Sequence, residues 1–423
     1  MGRSGRGHGR RPPRDGHRPD ASGISSDAGQ PPGEYPETPW TERIGSSGGP
    51  VANLSLSAAG YRALGLLPED FGAPGQVFRN GMKHRTFSLI ARNRDPHPAD
   101  WEAPYQGEVH ALVSLSHDSE GTLEVKTREV SDGLHGIAEI LAVEHGTALR
   151  NPKGDPIEHF GYVDARSQPL FLKGDLAAEK EAGVDAWDPS APLGLVLIDD
   201  PFTNEEDSFG SFLVFRKLEQ DVAGFAAGVQ ALAASLGIDE PLAGALVVGR
   251  FKDGTPVTQR PWDGLGPVNN FTYRAQDRIG NRCPFHAHIR KANQRGENPL
   301  LSDAEERTRR IVRRGIPYGV RPPSPDKGLL FMCFQSDIGR QFEFIQRSWV
   351  DNPNFPEFRL VSGLNTGDDA LIGQHPRAAQ KWPRQWGKSG RVLGRRRFNF
   401  GDYVHLRGGE YFFTPSLSFL KNV

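Results

Sequence analysis

Polar and apolar positions along this chain predict a mixture of strands and helices. Asn53-Leu54-Ser55-Leu56-Ser57 alternates with the period of a half-buried strand and runs into a helical stretch over 58–65. Val109, Ala111, Val113 and Leu115 share one face of a second strand. Apolar runs over 193–198, 212–215, 245–248 and 329–334 read as further strands. The clearest helix follows residue 221. Val222, Phe225, Val229, Leu232 and Leu236 form one amphipathic stripe, with Asp221 as N-cap and Gly237 as stop. Phe342, Ile345 and Trp349 give another helical stripe. Strands and helices do not alternate regularly, as they would in a doubly wound sheet. The expected class is α+β, in two halves over 51–220 and 221–423.

Composition narrows the picture. The 423 residues hold 51 Lys+Arg against 52 Asp+Glu, so net charge points to neither nucleic acid nor an acidic membrane surface. No run approaches the roughly 18 apolar residues of a membrane span. The two cysteines, Cys283 and Cys333, exclude a disulfide framework. Residues 1–50 have almost no aliphatic side chains and carry six arginines among the first 18 residues, opposed there only by Asp15. Such a segment buries too little apolar surface to offset its ordering entropy, and a disordered tail is expected. No apolar segment follows Arg10-Arg11 as an export signal requires, so a cytoplasmic location is the expectation. A second basic stretch, Arg377 to Arg397, has no base-reading motif beside it and reads as a solvated face or an oligomer contact.

Three short stretches stand out chemically. His159-Phe160-Gly161-Tyr162-Val163-Asp164-Ala165-Arg166-Ser167-Gln168-Pro169 sets an acid in a loop, where it most simply caps a turn. Cys283-Pro284-Phe285-His286-Ala287-His288-Ile289-Arg290-Lys291 holds two histidines two apart. No second ligand pair stands at zinc-finger spacing, whereas a haem iron needs only one imidazole nitrogen. Arg313-Arg314-Gly315-Ile316-Pro317-Tyr318-Gly319 sets paired arginines before a turn, suited to solvent or to an anion.

Together and in this order, these stretches resemble the dye-decolorizing peroxidases, a family of haem peroxidases. The family's Gly-x-x-Asp-Gly signature is similar to Gly161-Tyr162-Val163-Asp164, followed by Ser167-Gln168-Pro169. Its proximal-histidine stretch resembles 283–291, and its distal-arginine segment resembles 313–319. Residues 210–218, 328–331, 371–374 and 409–413 agree as well, so the likeness runs from about Asn53 to the C-terminus. Two departures matter. The signature's last glycine is Ala165 here, and the Arg/Gly/Pro-rich tail occupies the place of the family's first strand.

The resemblance implies two ferredoxin-like halves of the dimeric α+β barrel type, with haem b, one per chain, held mainly by the C-terminal half. It implies His288 as the proximal iron ligand, with Asp369 or its neighbour Asp368 on the far ring nitrogen and His286 beside the iron site but not on it. Asp164 is then the general acid–base for hydrogen peroxide, and Arg313 stabilises the charge that develops as the O–O bond breaks. His159, and less so Arg314, are candidates for the haem propionates, and Leu329 and Phe331 for the distal pocket wall. Aromatic or dye molecules are the implied one-electron donors, with Trp382, Trp386, Tyr403 and Tyr411 as candidate relays for bulky ones. Turnover is expected to favour acidic pH. Oligomeric state stays open. The alternative is a haem-handling protein that keeps His288 but turns over peroxide poorly, because Ala165 misplaces Asp164.

Overall fold

The computed structural model describes residues 49–87, 95–203, 205–298, 300–320, 326–356, 366–374, 379–388 and 396–422. The expected tail over 1–50 lies almost wholly outside the described residues, as do Arg377, Arg391 and Arg395 of the basic stretch.

Eight strands form one antiparallel sheet among the described residues. They are β1 (Val51–Ser57), β2 (Ala111–Ser116), β3 (Ile198–Asp199), β4 (Phe209–Gln220), β5 (Val312–Arg313), β6 (Ile316–Tyr318), β7 (Gly328–Gln335) and β8 (Val404–Thr414). The order is β2-β1-β8-β4-β7-β5, with β3 also on β4 and β6 also on β7. C-terminal β8 inserts between β1 and β4, with Phe413 opposite Leu56 on one side and Phe212 on the other. The sheet therefore draws on chain from both sides of residue 220. β4 is buried from Gly210 to Arg216, which explains its near-continuous apolar run. One core lies against this sheet, where Tyr61, Phe71, Phe78, Phe212 and Phe413 are all buried.

Helix α1 (Ala58–Ala63) starts where Ser57 accepts a hydrogen bond from Gly60 N, a side-chain cap that ends β1. α2 (Glu120–Leu134) follows β2. α3 (Val222–Leu236) carries the apolar stripe read above, with Asp221 accepting from Gly224 N and Gly237 closing it at φ 69°. Its Phe225 stacks on Phe160 at 4.0 Å and 12°, so α3 backs the segment that leads to Asp164. No single helix among the described residues is long and apolar enough to cross a membrane.

Two of the expected elements differ. Residues 245–248 are not a strand. They end α4 (Glu240–Val248), capped by Asp239 at its start and by Gly249, φ 99°, at its end. The helix is buried from Leu242 to Val248, so it has no polar face over those turns to reveal its period. Gly244 faces Tyr162, whose hydroxyl occupies the place a side chain would need. Residues 193–198 form a 3-10 turn, Leu193–Leu195, before the two-residue β3. The stripe at Phe342, Ile345 and Trp349 is helical as read. Its second part, Ile345–Val350, is a π-helix.

Candidate active site

The 158–168 segment is held by the Glu158 side chain and by backbone bonds to neighbouring chain. Glu158 accepts hydrogen bonds from Phe160 N at 2.8 Å and Tyr162 N at 3.0 Å, closing a turn with Gly161 at φ 90°. Val163 N then donates to Lys252 O, and Asp164 N to Pro156 O. Ala165 and Ser167 follow at φ 60° and 63°, left-handed values that L-residues avoid. The family's glycine at this point thus has a conformational reason, and Ala165 keeps the glycine-like backbone with its methyl group exposed. Ala165→Gly should therefore stabilise the protein by about 1 kcal/mol. The check is a higher urea midpoint at unchanged slope. A lower midpoint would mean that the methyl contributes more than the strain costs.

Arg313, at the end of β5, meets this loop. Its Nη1 donates to Asp164 Oδ1 at 2.6 Å, and its Nη2 to Arg166 O at 2.9 Å. The two side chains are 31% and 32% exposed, so the pair sits on a surface that a small molecule can reach. Burial pushes the Asp164 carboxyl up. The Arg313 charge, hydrogen bonds from Ala165 N and Arg313, and the charge of His288 outweigh it and hold the carboxyl below its ordinary value. His288 is therefore close enough to act electrostatically on Asp164.

His288 opens the five-residue helix α5 (His288–Ala292). Its Nδ1 donates to Asp369 Oδ2 at 3.0 Å, while Asp369 Oδ1 accepts from Leu371 N and Ile372 N. Burial raises the Asp369 carboxyl, but His288 and these donors outweigh it and keep it ionised. Among the described residues His288 Nε2 has no hydrogen-bond partner, and the side chain is 24% exposed. An imidazole fixed at Nδ1 by a carboxylate, with no partner for Nε2 among the described residues, is the donor arrangement of a metal-binding histidine. His286 is different. It is fully buried, bonds Thr366 O through Nδ1, and packs edge-on against Trp382 at 4.2 Å.

The remaining expected residues are placed as follows. Leu329 and Phe331 are both half-buried on β7, with buried Leu330 between them on the opposite face. His159 spends Nε2 on Tyr318 O at 2.6 Å. Burial, with Lys327 nearby, holds this ring below the ordinary histidine value, so it meets an anion as a cation only in acid. Arg314 is exposed and folds back onto Arg313 O. Of the aromatic relay candidates, Trp382 and Tyr411 are fully buried and Trp386 and Tyr403 half-buried, while Trp262 is 60% exposed.

Several residues with no signal of their own complete the site. Gln168 grips Arg313 twice, accepting from its N–H at 3.1 Å and donating to its carbonyl at 3.3 Å. Buried Arg250 and Arg295 both converge on Ser167 and Asn269. All their acceptors are neutral: Ser167 Oγ, Asn269 Oδ1, and the carbonyls of Gly254, Val268, Asn269 and Phe271. Burial and mutual repulsion lower Arg295 to about 9, and burial lowers Arg250 to about 10. Two positive charges whose hydrogen-bond acceptors among the described residues are all neutral thus lie behind the loop that carries Asp164. A cavity of about 680 Å³ opens beside them, lined by Ala165, Gln168, Leu170, Val268 and Asn270 among others. That volume is ordinary for a small-molecule site.

Known proteins resemble this chain over most of its length. Residues 240–358 match the family model described as Dyp-type peroxidase, C-terminal. The chain is 41% identical over 397 residues to multifunctional dye peroxidase DyP2 of Amycolatopsis sp., covering 89% of this chain and 82% of that one. It is 32% identical over 412 residues to dye-decolorizing peroxidase msp1 of Mycetinis scorodonius, covering 88% and 76%. Among solved structures, the DyP-type peroxidase of Anabaena sp. aligns with a TM-score of 0.82 at 44% identity, over 90% of this chain and 82% of that one.

Proposed function

This chain belongs to the dye-decolorizing peroxidase family, and from that premise we propose that His288, Asp164 and Arg313 are its working residues around one haem b per chain. The observation that carries the proposal is the pairing of two built arrangements in one neighbourhood. One is an imidazole held by Asp369, and the other is a carboxylate held ionised by a guanidinium.

The residues fit the group. His288 offers Nε2 to the iron, and Leu329 and Phe331 supply apolar wall. The charges of Arg250 and Arg295, whose acceptors among the described residues are all neutral, would favour the porphyrin carboxylates, and His159 would add to them only in acid. Bound haem supplies the iron centre at which the O–O bond of peroxide is broken.

The protein's own part is proton handling. The Asp164 carboxylate takes the proton from hydrogen peroxide and returns it to the departing oxygen, as base and then acid. Arg313 keeps that carboxylate ionised and stabilises the negative charge that forms as the bond breaks. Gln168 fixes the Arg313 backbone, so neither group needs reorganising during reaction. With Ala165 in place the loop adopts a left-handed turn and the Asp164–Arg313 ion pair forms at 2.6 Å. That geometry favours the enzyme over a haem-handling protein. Small aromatic donors are expected at the 680 Å³ cavity, and Trp262, 60% exposed, is a ring that donors too bulky to enter can reach.

The test is a pH profile of peroxide turnover by the haem-loaded protein. Asp164 must be ionised, and its value lies below the ordinary carboxylate range of about 3.9. Activity should therefore persist to about pH 4 and fall only below it. In Arg313→Leu, burial acts without its main opponent, so the acid limb should move to higher pH. An acid limb unchanged in the variant would contradict this coupling.

A further inference from the structure

Helix α5 carries a lysine that no solvent reaches. Lys291 lies one turn beyond His288 and is fully buried. Its Nζ donates to Asn352 O and Phe355 O, each at 2.6 Å, and sits 5.8 Å from the centre of the Phe355 ring. Both acceptors are neutral. The carboxylates whose charges reach it are Asp368, Asp369 and Asp351, in that order. All three are buried.

Removing an ammonium from water costs several kcal/mol. Burial pulls Lys291 down to about 7 despite those three acids. A methionine of similar length would fill the same space without that cost. Below about pH 7 the side chain is a buried cation, which calls for a role other than packing.

The surroundings suggest one. Asp369, the acceptor for His288 Nδ1, is anchored by its own N–H to Val350 O at 2.9 Å. Lys291 ties α5 to residues 352 and 355 of the same segment. The histidine and its acceptor are thereby fixed to one frame from two sides, and the lysine and the Asp369 carboxylate act on each other electrostatically. We propose that Lys291 is a positioning residue for His288, and that its charge restrains how strongly Asp369 draws on the Nδ1 proton. This rests on the reading of His288 as the iron ligand. A carboxylate that draws less leaves the imidazole a weaker electron donor, which favours ferrous over ferric iron.

The experiment is a spectroelectrochemical titration of the haem-loaded full chain, with the iron–histidine stretch read by resonance Raman. Lys291→Met should lower the midpoint potential, raising the ferric-to-ferrous ratio at fixed potential at least about threefold. It should also strengthen the iron–histidine bond. Asp368→Asn removes a negative charge from the same frame and should move both readouts the opposite way, which loosened packing would not do. If Lys291→Met fails to fold or to take up haem, the sign of the Asp368→Asn shift decides. Potentials unchanged in both variants, or shifted in the same direction, overturn the inference while leaving the peroxidase reading intact. A wild-type chain whose haem lacks an imidazole ligand would remove that reading first and this inference with it.

Discussion

Asp164→Asn should slow the peroxide-dependent step by about 100- to 10,000-fold while leaving haem uptake intact. That range is the usual contribution of a positioned acid–base group, about 2.7–5.5 kcal/mol of barrier. The amide is nearly isosteric and still meets Arg313, so the change isolates proton transfer from packing. Stopped-flow mixing of the haem-loaded variant with peroxide is the measurement. A variant within threefold of the parent would mean that another group moves the proton. Added small carboxylates should not rescue the variant fully, because the site positions its own carboxylate through Arg313 Nη1 and through the turn at Ala165.

The largest stability effect belongs to Arg290, on the helix that carries His288. Its guanidinium is fully buried and bonds Asp277 Oδ2 at 2.9 Å and Glu297 through both Nε and Nη2. It lies between the rings of Tyr273 and Phe285, at 4.6 and 4.4 Å. Asp277 also accepts from the N–H groups of Asn281, Arg282 and Cys283, which shapes the loop entering α5. Arg290→Met leaves two buried carboxylates without their cation and should cost about 3–5 kcal/mol.

The pH dependence of that loss has a definite sign. Burial already raises Glu297 to about 7 with Arg290 present, and without the cation it rises further. A carboxyl raised in the folded state favours folding in acid and opposes it as pH rises. The deficit should therefore be deepest above about pH 7 and shrink toward pH 5. Urea titrations at the two pH values, with haem affinity alongside, check this. A deficit under 1 kcal/mol at both would show that the triad contributes little to the native state.

What the sequence revealed follows a physical pattern. α3 was legible because one face is buried and the other is wet, and Asp221 and Gly237 mark its ends. Residues 245–248 of α4 read as a strand in the sequence because Leu242 to Val248 are all buried, which erases the helical period. Asp164, His288 and Arg313 enter as candidates through resemblance alone, since each has a commonplace local context. Asp369 lies 81 positions from His288, and no local pattern predicts that bond. Arg250, Arg295 and Asn269 were invisible for the same reason, being gathered on Ser167 only by folding. Lys291 follows Arg290 along the chain, and both are fully buried, which no local pattern predicts. Ala165 gave advance notice, because replacing glycine at a left-handed position predicts strain, and φ is 60° there.

Haem binding by His288 is the claim on which the catalytic reading depends. The direct measurement is a titration of the purified chain and of His288→Ala with ferric haem, followed by absorption spectroscopy. The parent should bind one haem per chain with an imidazole-ligated spectrum. The variant should lose that spectrum and regain it on addition of free imidazole. A His288→Ala protein that binds haem with unchanged affinity and an unchanged spectrum would contradict the account.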